Sequence, residues 1–106
     1  MPKRMLIVVL AALAAPAGAE TLKEVTTHGI IMEANGARID IDFTHDGRFT
    51  AFSGAATGRW RTEGEKLCSI PDASSVETCA VYPKNKTSGD RFALATEQGE
   101  VFVTIK

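Results

Sequence analysis

Period-two alternation, cut at short intervals by glycine-bearing turns, is the feature that most constrains this chain. Ala37 to Phe43 sets Ile39, Ile41 and Phe43 on one face of an extended segment and Arg38, Asp40 and Asp42 on the other. Phe49 and Ala51 alternate with Arg48 and Thr50, and Gly58-Arg59-Trp60-Arg61-Thr62 turns Trp60 inward and both arginines outward. Val101, Val103 and Ile105 repeat the pattern against Phe102, Thr104 and Lys106. A two-residue period marks strands with one buried face. After residue 26 no window carries an apolar stripe at helical spacing, and only residues 20–26 have room for a short helical turn.

Turn chemistry divides the chain into eight expected strands: 25–33, 37–43, 48–53, 57–62, 66–70, 76–82, 90–95 and 100–105. Asn35-Gly36 suits a tight hairpin turn, and Gly64, Pro71–Ser75, Pro83–Gly89 and Glu97-Gln98-Gly99 mark further reversals. Short connections make each strand antiparallel to the next, so the expected fold is an all-β, antiparallel eight-stranded meander. Left open, it would expose two raw edges; closure into a small barrel removes them. One turn can be resolved to a register. A two-residue Asp46-Gly47 loop would set Phe43 opposite Thr50, whereas a three-residue His45-Asp46-Gly47 loop sets Phe43 opposite Phe49, Ile41 opposite Ala51 and Asp42 opposite Thr50. Directly opposite residues share a face, so the three-residue loop, with Gly47 left-handed, is the consistent one.

The N-terminal region reads differently. Lys3 and Arg4 precede the apolar run Met5–Ala15, and Ala17-Gly18-Ala19 supplies a small-residue cleavage pattern before Glu20. Residues 1–19 are therefore expected to be a signal peptide and residues 20–106 a single small β-barrel domain, periplasmic or secreted, with no membrane anchor after cleavage. In an exported chain the two cysteines, Cys68 and Cys79, are expected to form a disulfide. If their strands pair so that the cysteines lie directly opposite, the bond bridges neighbouring strands across the Pro71–Ser75 turn, with Ile70 opposite Glu77. Closing a loop of that length is worth roughly 3 kcal/mol in the chain-entropy view.

Composition excludes several functions. With a formal charge of −1, the chain of 106 residues offers no basic field for nucleic acid. Asp40, Asp42 and Asp46 do not follow the spacing of a calcium loop, and His28, His45 and Met32 lack ligand spacing, so no metal and no cofactor are expected. The serines fall in turns, no Gly-x-Ser-x-Gly string occurs, and the paired aspartates are solvated, so no catalytic residues are assigned and the protein is not expected to be an enzyme. The outer face of the second to fourth strands combines Asp40 and Asp42 with Phe52, Arg59 and Arg61. A mixed-charge patch around an exposed aromatic is a candidate binding surface.

Gly58-Arg59-Trp60 followed by Cys68 and Cys79 resembles the periplasmic inhibitors of secreted metalloproteases, over residues 58–79. More broadly, Asp46-Gly47-Arg48-Phe49, Gly58-Arg59-Trp60-Arg61, Leu67-Cys68 and Cys79 look like small exported bacterial single-disulfide β-barrel proteins of uncharacterised families. The resemblance implies a small barrel with one disulfide after a tryptophan. The expected function is a non-catalytic protein-binding module of the envelope, such as a hydrolase inhibitor. It would meet another envelope or secreted protein and present Glu20–Val25 or Pro83–Gly89 to an active site. The alternative is a carrier of a small apolar ligand, of lipocalin type. Barrel volume separates them: if Phe43, Phe49, Trp60, Phe92, Leu94 and Ile105 fill the interior, packing favours the module, and an open apolar cavity of several hundred cubic ångströms favours the carrier.

Overall fold

The computed structural model describes residues 17–106, with side chains from Glu20 onward. Most of the expected signal segment, residues 1–16, lies outside the described residues. Eight antiparallel strands follow one helix: α1 (Ala17–His28), β1 (Ile30–Ala34), β2 (Ala37–Phe43), β3 (Arg48–Ala51), β4 (Ala56–Glu63), β5 (Lys66–Pro71), β6 (Thr78–Val81), β7 (Arg91–Thr96) and β8 (Gly99–Ile105). The sheet order is β6-β5-β4-β3-β2-β1-β8-β7, a barrel that is nearly closed.

The hairpins obey the turn chemistry. Asn35 and Gly36 both take positive φ, 51° and 79°, as a twist-matched two-residue turn requires, and Ala34 pairs with Ala37 across it. The β2–β3 connection has the three-residue count: Phe43 pairs with Phe49, Asp42 with Thr50 and Ile41 with Ala51. Gly47 sits at φ 87°, and the turn closes through Thr44 N–H donating to the Arg48 carbonyl at 2.8 Å. On the far side of β3 the expectation fails. The strand ends at Ala51, and Phe52 and Ser53 adopt left-handed backbone at φ 54° and 55°, forming a four-residue turn to Ala56.

The barrel closes where the chain ends meet and opens elsewhere. β1 pairs with β8, from Ile30 with Ile105 to Glu33 with Phe102, so the pair that a closed meander needs between its outer strands is formed. The missing pair is β6–β7. These consecutive strands are the two sheet edges because residues 82–90 do not turn tightly; they run beneath the barrel and bind the helix.

α1 is the second departure: it includes the helical turn expected over 20–26 but runs on to His28, so the strand expected over 25–33 begins only at Ile30. Leu22 and Val25, one turn apart, are 3% and 0% exposed and belong to one buried cluster with Ile30, Tyr82, Val103 and Ile105. Glu20 in the first turn and His28 in the last complement the helix dipole. Gly29, at φ 81°, donates to the Val25 carbonyl at 2.8 Å, the bond of a left-handed helix cap, and its carbonyl then accepts from Lys106 N–H at 3.0 Å. This short helix carries few apolar residues of its own, so tertiary burial rather than propensity holds it.

Candidate functional site

The barrel has two unlike ends. At the α1 end, the helix and residues 82–90 form a plug over a filled core. Thr21, fully buried, accepts from Lys86 N–H at 3.1 Å, and Glu24 accepts from the Thr87 hydroxyl at 2.5 Å. Ser88 donates through its hydroxyl to the Lys106 carbonyl, and Gly89 N–H donates to the Ile105 carbonyl at 2.8 Å. Hydrogen bonds from Thr87 first, and Ser88 N–H second, hold the Glu24 carboxyl below the ordinary glutamate range. Glu20–Val25 and Pro83–Gly89, the segments expected to be free for insertion into an active site, are thus fastened to each other and to the sheet.

The opposite end, where the turns at 35–36 and 97–98 lie, opens into a cavity of about 550 Å³. Its walls are Met32, Ala34, Ile41, Phe49, Leu94 and Val101, and Leu67, Phe43 and Tyr82 stand at its inner end toward the plug. It runs along the open seam, with Thr78–Ala80 of β6 on one side and Leu94 and Thr96 of β7 on the other. Asn35, Ser69, Thr78, Gln98, Glu97 and Glu100 supply a polar rim. Burial pushes the Tyr82 hydroxyl's pKa up, so it stays neutral, and its ring meets Phe92 edge-on at 5.9 Å between centroids.

The aromatic residues expected to fill the interior are distributed instead. Phe43 and Phe49 line the cavity, whereas Trp60 leans to the barrel end, its Nε1–H donating to the Thr44 carbonyl at 3.0 Å and its ring edge-on to Phe43 at 6.0 Å. Phe92 and Ile105 belong to the plugged core. Gly58 has a packing role in this arrangement: the Phe49 ring and the Ile70 carbonyl occupy the space a β-carbon would take. The filled interior is therefore replaced by a half-filled one. The missing β6–β7 pair leaves room along the seam that a count of large side chains does not contain.

The structure separates the residues of the expected outer patch. Asp40 and Asp42 both accept from the Lys106 ammonium, at 2.6 Å for Asp42. Partial burial works against that ammonium's charge, but the hydrogen bonds it donates to Asp40 and Asp42 outweigh this and raise its pKa. Arg61 is clamped by Glu77 at 2.9 and 2.7 Å and also approaches Glu63 at 3.7 Å. Arg59 pairs in register with Arg48, which is itself tied to Asp72 at 2.6 Å. Phe52 stands 57% exposed in the β3–β4 turn rather than on the sheet face. Within the patch, the two aspartates meet one another through Lys106, while Arg61 is held on the far side of β4.

Cys68 and Cys79 are bonded and lie directly opposite each other, with Cα atoms 4.0 Å apart. The pairing extends to Ser69 with Thr78 and stops there, short of Ile70 and Glu77. By register the bond lies on the face of β5 that carries Arg61's partner, Cys68, which is fully buried. Among the described residues, the one cluster with metal-ligand proximity is Glu77 with these two sulfurs, and the sulfurs are committed to each other. No helix among the described residues is long and apolar enough to cross a membrane.

Sequence reasoning missed the cavity and the plug. The signal for the plug was present in Leu22, Val25 and Gly29, an apolar pair one turn apart followed by a cap glycine. In comparison with known proteins, the chain matches no family model, and neither a curated protein nor a solved structure matches it significantly.

Proposed function

We propose that this protein is a non-catalytic, exported binding protein that holds a small, largely apolar ligand inside its barrel. One observation carries the reading: a cavity of about 550 Å³, walled by aliphatic and aromatic side chains and reached from the rim and along the β6–β7 seam. That volume falls in the range of small-molecule sites, whose lining is mostly apolar with a few polar groups at fixed places. The plug at the other end supports the reading, because it gives the cavity a dry floor. Export to the periplasm or medium is part of the proposal, supported by the Lys3–Ala19 signal pattern and the Cys68–Cys79 bond. Inhibition of a hydrolase by Glu20–Val25 or Pro83–Gly89 is the weaker reading, since both segments would have to leave the plug first.

The test is titration of residues 20–106 with the neutral apolar dye N-phenyl-1-naphthylamine. Saturable enhancement at one dye per chain is expected. In Ala34→Trp, which sets an indole in the cavity mouth, enhancement should be lost while far-ultraviolet circular dichroism is retained. No saturable binding by the unsubstituted protein, or equal binding by the variant, overturns the proposal.

A further inference from the structure

The cavity rim carries a charge bias that the apolar walls do not explain. Of the residues that line it, Glu97 and Glu100 are charged, and none is lysine, arginine or histidine. Glu97 lies in the β7–β8 turn. Glu100 follows at the start of β8, opposite Ala95, where strand alternation places its side chain outside the wall but still at the rim. Among the described residues neither carboxylate takes part in an ion pair, whereas Glu33, Glu63 and Glu77 all do. The same turn is rigid: the Thr96 hydroxyl donates to the Gly99 carbonyl at 2.6 Å and accepts from Gln98 N–H at 3.2 Å. The backbone that carries the two acids is therefore fixed beside the opening, with both side chains exposed.

Resting on the reading of the cavity as an apolar-ligand site, we infer that its ligand is an amphiphile with a hydrocarbon tail and a hydrogen-bond-donating, cationic head, such as an alkyl ammonium. The tail takes the place of solvent against Met32, Ile41, Phe49 and Leu94. The head stops at the rim, where carboxylates can only accept hydrogen bonds and an ammonium can only donate them. A carboxylate head, as in a fatty acid, meets two like charges and no cation. At roughly 6 Å in water-like surroundings each unit charge changes affinity about threefold. Two of them favour an ammonium over a carboxylate head by at least about tenfold, and salt shrinks the difference.

Displacement of the bound dye at pH 7 and low ionic strength tests this, using dodecylamine, dodecanol and dodecanoate below their micelle concentrations. The expected order of affinity is amine, alcohol, carboxylate, with at least about tenfold between the first and last. In the double variant Glu97→Gln, Glu100→Gln the amine–carboxylate gap should close while dodecanol is unaffected. Equal affinities for the three probes, tighter binding of dodecanoate, or a gap that survives the double substitution overturns the head-group inference and leaves the cavity reading standing. Failure of neutral dodecanol to displace the dye overturns the cavity reading itself.

Discussion

Gly29 joins the helix to the barrel, and both its conformation and its surroundings demand glycine. At φ 81° a side chain is strained, and a β-carbon there would lie 2.7 Å from both the Ile41 carbonyl oxygen and Asp42 Oδ1. Gly64, at φ 60°, has open space around it. Gly29→Ala is therefore expected to lose more than the backbone cost of about 1–2 kcal/mol, whereas Gly64→Ala should lose no more than that; denaturant midpoints of the two variants check it. Gly58→Ala should cost about 1–3 kcal/mol by overpacking against Phe49, with the slope of the unfolding curve unchanged. Residue-level geometry was legible where partners identify each other across a strand pair: Phe43 with Phe49, and Cys68 with Cys79. It was not legible at Phe52, where alternation continues but the backbone turns left-handed. Nothing in a lone phenylalanine announces that conformation, which residues other than glycine, asparagine and aspartate seldom adopt.

Among the elements, α1 and β6 are the least self-sufficient. The helix covers the short turn expected over 20–26 and continues through Val25, Thr26 and Thr27, where a strand is expected. These β-branched residues favour extended backbone, and the helix's two buried side chains gain their meaning only from the core beneath them. Its tie to residues 87–88 runs through Glu24, whose folded pKa lies below its unfolded one. A depressed carboxyl stabilises at pH above the unfolded value, and that contribution disappears as pH falls through the folded value. Proteolytic resistance of the 82–90 segment should therefore hold at neutral pH and fall below about pH 4, and Glu24→Gln should lower it at neutral pH and flatten the profile. β6 is four residues long and is paired only to β5, so the disulfide is its main restraint. The native protein should show no free thiol. Reduction should cost about 2–4 kcal/mol while preserving the far-ultraviolet spectrum, and it should weaken dye binding, because Thr78–Ala80 wall the cavity. Stoichiometric labelling of native protein by a thiol reagent would contradict the bond.

At the scale of the whole molecule the barrel is divided into a filled half and an open half. Strand number, hairpin turns and the β1–β8 closing pair follow from alternation and turn residues. Seam position does not, because it depends on where residues 82–90 travel after β6, and that path is set by contacts with a helix that alternation alone does not reveal. The division also has a dynamic consequence. Local opening is cheapest where strands are edges and contacts are few, and dearest where both sides are paired and buried. β1 and β8 are paired on both sides, and Ile30, Val103 and Ile105 are at most 1% exposed. Amide exchange should accordingly be slowest in β1 and β8, faster in β7 and fastest in β6. Saturating apolar dye should slow exchange in β6 and the β7–β8 turn, which face the cavity, and leave α1 unchanged, since the plug lies beyond the cavity floor. Mass-resolved exchange of the oxidised protein with and without dye measures this. Equal slowing in α1 and β6 would mean that the ligand tightens the whole barrel, and that the two halves are one cooperative unit.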